Sequence, residues 1–195
     1  MNRPRRSPAR HGGFTLFEAL LTAALLSIVS IGVVGLYTAS LKMYTRGQRE
    51  ATARDKAALA LERMMPEIQE AYNVDYPGPS LIVMTLPQRD SDGRYHMDPS
   101  TGALLSGKQV IFYQADQSGA FGTTGTYIWR AERPTSTTTW GSKKVIMDDV
   151  EDLSFTYAPS ITMLELVQAA ITVGQGEDPG YYNRTEVAEV WIRNH

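Results

Sequence analysis

From Ala19 to Leu41 the chain carries no charged side chain, a run of 23 residues. As a helix rising about 1.5 Å per residue it is about 35 Å long, enough to cross a hydrocarbon core of about 30 Å. Before it lie His11-Gly12-Gly13-Phe14-Thr15-Leu16-Phe17-Glu18 and a leader holding Arg3, Arg5, Arg6 and Arg10 but no acid. The arginines place the leader in the cytoplasm and send the C-terminal bulk across the membrane. An ordinary secretory signal has an apolar core of only about 7 to 15 residues, with its cleavage site after it. By hydropathy alone, an uncleaved signal anchor fits as well as any other single-pass reading. Glu18 separates the two, because a charge inside a spanning helix is unfavourable by up to about 3 kcal/mol and a plain anchor has no use for one. The bland alternative is a carboxylate that stays hydrated at the interface.

Basic leader, glycine, phenylalanine and a lone glutamate at the mouth of a membrane-length helix together resemble the prepilin signal of type IV pilins and type II secretion pseudopilins. The resemblance covers roughly the first forty residues. It implies cleavage by a membrane peptidase after Gly13, N-methylation of Phe14, and a role for Glu18 in filament assembly, where it pairs with a neighbouring subunit's terminal amine. Two charges leaving water together must neutralise each other. The implied partners are other pilins or pseudopilins, the prepilin peptidase, the inner-membrane assembly platform and membrane lipid. The implied location is a single-pass bacterial inner membrane, with the C-terminal head outside the cytoplasm, and then the filament. Val145 to Tyr157 and the closing Val190-Trp191-Ile192-Arg193-Asn194 are similar, more loosely, to minor pilins and J-type pseudopilins.

The implied organisation is a cleaved leader over residues 1–13, a transmembrane helix over 14–41, an amphipathic continuation over 42–74 and a β-rich head over 75–195. Ala19, Ala23 and Ser27 form a strip of small residues where another helix can approach closely. Gly32 and Gly35 weaken the second half of the helix, each by nearly 1 kcal/mol relative to alanine. Beyond Lys42, Ala57, Leu61, Met64, Ile68 and Ala71 recur at three- and four-residue steps and predict a stripe that needs a sheet to cover it. Pro66 predicts a kink or a restart, and Asn73 to Pro79 predicts a stop.

Seven short runs rich in β-branched and aromatic residues follow: 80–86, 109–114, 126–131, 143–147, 152–157, 166–173 and 186–192. One long helix followed by strands predicts an α+β fold, pilin-like in its layout, with the helix packed on an antiparallel sheet.

Composition limits the chemistry. Removing the four leader arginines from the 19 basic residues leaves 15 against 21 acidic ones, a net of −6, so no nucleic acid is expected on the head. The absence of cysteine excludes disulfides and thiolate chemistry, and departs from the many major pilins that close a C-terminal loop with a disulfide. His11, His96 and His195 lack ligand-spaced neighbours, and Arg89-Asp90-Ser91-Asp92-Gly93 departs from a calcium loop at Gln88 and Pro99. Asp148, Asp149, Glu151 and Asp152 form the densest acidic run, read as a solvated turn although some pseudopilins bind calcium in the head. No nucleophile, phosphate-loop or dinucleotide motif appears, so neither enzyme activity nor a cofactor is expected. A structural filament subunit is the first reading, and a membrane-anchored exported binding domain serving adhesion or DNA uptake is the second.

Overall fold

The computed structural model describes residues 15–122, 124–160, 163–175 and 182–192. Its contacts divide the chain into two units, Met1–Arg49 and Glu50–His195, and the second is the head. One helix, α1 (Leu16–Gln69), is followed by eight strands: β1 (Asn73–Pro77), β2 (Leu81–Pro87), β3 (Ser106–Ala115), β4 (Tyr127–Pro134), β5 (Lys143–Met147), β6 (Val150–Ser160), β7 (Met163–Gln175) and β8 (Tyr182–Trp191). All seven expected strands form, 143–147 with the expected ends and the other six with shifted ones. The fold is α+β, with two antiparallel meanders where one sheet was expected. The first has the order β1-β2-β3-β4-β5, the second β6-β7-β8.

Two expectations are refined by the structure. Of the kink or restart expected at Pro66, the restart does not occur, and the helix runs unbroken to Gln69. The amide that Pro66 lacks would have served the carbonyl of Glu62; both residues are exposed, so water can satisfy that carbonyl. The helix ends at Gln69, ahead of the stop expected over 73–79, and Asn73–Pro77 is a strand. Its Asp75 accepts hydrogen bonds from Asn73 Nδ2 at 2.9 Å, Thr85 Oγ1 at 2.6 Å and Gln109 Nε2 at 3.0 Å, which fastens β1 to the sheet. The Tyr72 amide donates to Thr85 O at 2.9 Å and hands the chain from helix to sheet.

Within the head, α1 buries the predicted stripe. Ala57, Ala60, Leu61, Met64 and Ile68 meet Ile82 and Met84 of β2, Phe112 of β3, Leu153 of β6 and Ile171 of β7 in one apolar core. Both sheets therefore share a single helix. The outer face of the first sheet has its own smaller cluster, built on Ile111, Tyr113, Ala115 and Ala131. This explains why β2 and the Val110–Tyr113 stretch of β3 read as almost continuous apolar runs: both of their faces are covered. Phe121 stacks on Tyr113 at 4.3 Å between centroids, and the Tyr113 hydroxyl donates to Gly119 O at 2.9 Å. Gly119 has φ +66°, and a Cβ there would lie 3.1 Å from the Trp129 ring, so glycine is required.

Gln114 of β3 joins the two sheets by acting as a surrogate peptide group. Its Oε1 accepts the Leu153 amide at 3.0 Å, while its Nε2 donates to Glu151 O at 3.0 Å and to Gly125 O at 2.6 Å. The Leu153 and Glu151 groups belong to the edge of β6 that faces away from β7, and Gly125 lies just before β4. Unpaired in the interior, they would cost about 1 to 3 kcal/mol each.

Ion pairs complete the fastening. Arg130 of β4, whose side chain is 17% exposed, holds Glu67 of α1 through Nε at 2.9 Å and Glu132 through Nη1 at 2.9 Å. Lys108 also reaches Glu132, at 2.8 Å. Only half of the acidic run lies at the turn between β5 and β6, Asp148 and Asp149, the latter in the left-handed conformation at φ 59°; Glu151 and Asp152 are in β6. Lys56 of α1 supplies the counter-charge, 2.8 Å from Asp148 and 3.3 Å from Asp149. Hydrogen bonds from Lys108 and Lys56 lower the Glu132 and Asp148 carboxyls below their ordinary values of 4.5 and 3.8.

Leu61→Ala should cost about 2 to 5 kcal/mol and lower the midpoint of thermal unfolding of the detergent-solubilised chain by roughly 5 to 15 °C. Glu62→Ala, on the exposed side, should change stability by less than about 0.5 kcal/mol. Circular dichroism melts of the two variants check the pair of outcomes.

Acid should also weaken the head. Carboxyls with lowered values stabilise the fold while ionised, so their contribution is complete above the unfolded-state values. It is lost as pH falls through the lower folded-state ones. Stability measured by urea unfolding should therefore hold from pH 7 to about 5 and decline below 4.5, and less steeply in Glu132→Gln.

Candidate functional site at the mouth of the apolar helix

Thr15 and Glu18 start α1 with a reciprocal pair of hydrogen bonds. The Glu18 amide donates to Thr15 Oγ1 at 3.3 Å, and Glu18 Oε2 accepts the Thr15 amide at 3.1 Å and the Thr15 hydroxyl at 3.1 Å. This is a capping box, in which Thr15 is the N-cap and Glu18 the third helical residue. A carboxylate here also faces the positive end of the helix dipole. Glu18 thus has a local structural role that the sequence reading did not assign to it. The Thr-x-x-Glu spacing of residues 15–18 was the available signal. An ionised carboxylate has about four acceptor positions, and these bonds all fall on Oε2, so Glu18 retains capacity for a cationic group.

Behind the cap, the helix is built for an apolar surrounding. Every residue from Leu16 to Arg49 is exposed, among them Leu20, Leu21, Leu25, Leu26, Ile28 and Val29. Hydroxyls within the run turn back onto the helix: Thr22 donates to Glu18 O at 2.7 Å, Ser27 to Ala23 O at 2.8 Å, Ser30 to Leu26 O at 2.8 Å and Thr38 to Gly35 O at 2.9 Å. In lipid these groups would otherwise lack partners. The helix continues through Gly32 and Gly35, where an added Cβ would meet nothing. Tyr37 and Tyr44 flank Lys42 at the end of the run, the composition of a membrane boundary. α1 is long and apolar enough to span a membrane once.

Of the residues expected to act, Glu18 lies in the first turn of α1. The expected cleavage pair, Gly13 and Phe14, and the expected methylation at Phe14, lie outside the described residues. Comparisons with protein-family models, curated proteins and solved structures gave no match.

Proposed function

We propose that this chain is a structural subunit, a minor pilin or pseudopilin, of a type IV pilus or type II secretion filament. Its leader is cut after Gly13 and Phe14 is N-methylated by the prepilin peptidase. The chain then waits in the inner membrane with its head outside the cytoplasm until the assembly platform moves α1 into a bundle of related helices. The observation that carries this reading is Glu18: one carboxylate, in the first turn of α1, directly before an uncharged run of 23 residues that are all exposed. Cleavage after Gly13 leaves the Thr15 amide intact, since Phe14 remains attached to it, so the cap survives processing.

In this role Glu18 has two functions that different substitutions separate. Glutamine can serve as the third residue of a capping box but brings no charge, whereas alanine removes both. If neutralisation of a neighbour's amine drives assembly, Glu18→Gln and Glu18→Ala should both abolish co-isolation with partner pilins while leaving the protein in the membrane. If the cap alone matters, Glu18→Gln should assemble like the parent chain. Mass analysis of the N-terminal peptide from a peptidase-positive host should give a chain starting at N-methylated Phe14. A product that begins at Met1 contradicts the proposal.

A further inference from the structure

The two sheets have four outer edges, and three of them are closed to further strands. β1 is five residues long, ends at Pro77 and is irregular between Val74 and Tyr76. β5 is equally short, carries Lys143 and Lys144, and is bulged at Ile146, which the register with β4 skips. β6 has two register shifts and Pro159, and its outward groups are already used: Leu153 and Glu151 by Gln114, and the Phe155 amide by Pro79 O at 2.7 Å. Short length, proline, lysine and bulges are the devices by which proteins prevent edge-to-edge pairing.

β8 has none of these four, and its inward charges, Arg184 and Glu186, are already paired with Glu50 and Arg54. It pairs with β7 over ten consecutive positions without a shift, from Leu166↔Trp191 to Gln175↔Tyr182, and contains neither proline nor lysine. Among the described residues, no strand pairs with its other side. Its inner face is anchored: Val190 and Ile192 enter the core, Arg184 reaches Glu50 at 3.0 Å and Glu186 reaches Arg54 at 3.2 Å. Its outer face presents Thr185, Val187, Glu189 and Trp191, with Val187 51% and Trp191 65% exposed. The result is an unbulged edge, anchored along its inner face, with alternating backbone donors and acceptors.

We infer that β8 accepts an extended strand of a different polypeptide, which extends the β6-β7-β8 sheet. The backbone ladder specifies an extended chain, and the outer side chains specify its character: apolar residues beside Val187 and Trp191, and a basic residue beside Glu189. A second copy is the wrong occupant: the outer face of another β8 offers Thr185, Val187, Glu189 and Trp191 but no cation for Glu189, because Arg184 lies on the inner face and holds Glu50.

The test is photo-crosslinking in cells of the source organism, with a benzophenone amino acid placed in the full chain at position 185, 187 or 189. Positions 168 and 170 of the interior strand β7 serve as comparison sites on the same outer face. The expected result is an adduct with one other protein from all three β8 positions. Its attachment sites should advance by about two residues along a single segment of that protein for each two-residue step in β8, and positions 168 and 170 should give far less. Val187→Lys, a guarding charge on an exposed site that should leave the thermal midpoint unchanged, should reduce the adduct from position 189 at least tenfold. Adducts between copies of this chain, equal yields from β7 and β8, or no adduct from any β8 position in folded membrane-inserted protein would each overturn the inference.

Discussion

Everything in the head depends on one apolar stripe being used twice. Leu61, Met64 and Ile68 fill the space between the helix and both sheets, and burying side chains of this size contributes about 1.5 to 3 kcal/mol each. No cysteine is available to reinforce this packing. Neither sheet is closed on itself, and the strand directly after α1 is a five-residue edge. The helix is therefore the element on which the meanders are mounted. Because the residues that bury this stripe continue the same helix that carries the apolar run, the candidate membrane segment and the head's core are consecutive parts of one element.

Polar contacts add direction to that packing. Arg130 is largely withdrawn from water and is bonded by carboxylates from α1 and from its own strand; removing either partner would leave a charge poorly compensated. Lys56 meets the acidic turn between β5 and β6, the link between the two meanders. Both pairs connect α1 to a different part of the sheet layer. A helix rotated about its axis would lose both pairs along with the burial of its stripe, so the pairs reinforce the orientation that the stripe selects.

Much of this was legible in the residues. The three- and four-residue recurrence of Ala57, Leu61, Met64 and Ile68 marks the buried face, and seven β-rich runs become strands. β1 was not legible, because Pro77, Gly78 and Pro79 are local punctuation, and the bonds that hold Asp75 come from Thr85 and Gln109 in other strands. The helix end at Gln69, short of residue 74, was obscured by continuing apolar residues: Ala71 is buried in the core without being helical. Division into two sheets was hidden for a similar reason, since it depends on where pairing stops. At the candidate site Glu18 stood out as a charge without company, while its bond to Thr15 was overlooked in favour of a partner on another chain. The open edge of β8 becomes visible only once strand order is known, because its sequence differs from that of the guarded edges chiefly by what it lacks.

If α1 is the mounting element, its head portion and the two sheets must unfold as one unit. Native-state amide hydrogen exchange of the full chain in detergent measures this directly, residue by residue. Opening free energies for Leu61, Met64 and Ile68 should match those of Phe112 in β3 and Ile171 in β7, and all should equal the stability found by urea unfolding. If the amides of residues 57–68 instead open several kcal/mol more easily while the β3 and β7 amides keep their full protection, the sheets stand without the helix and this account of the fold is wrong.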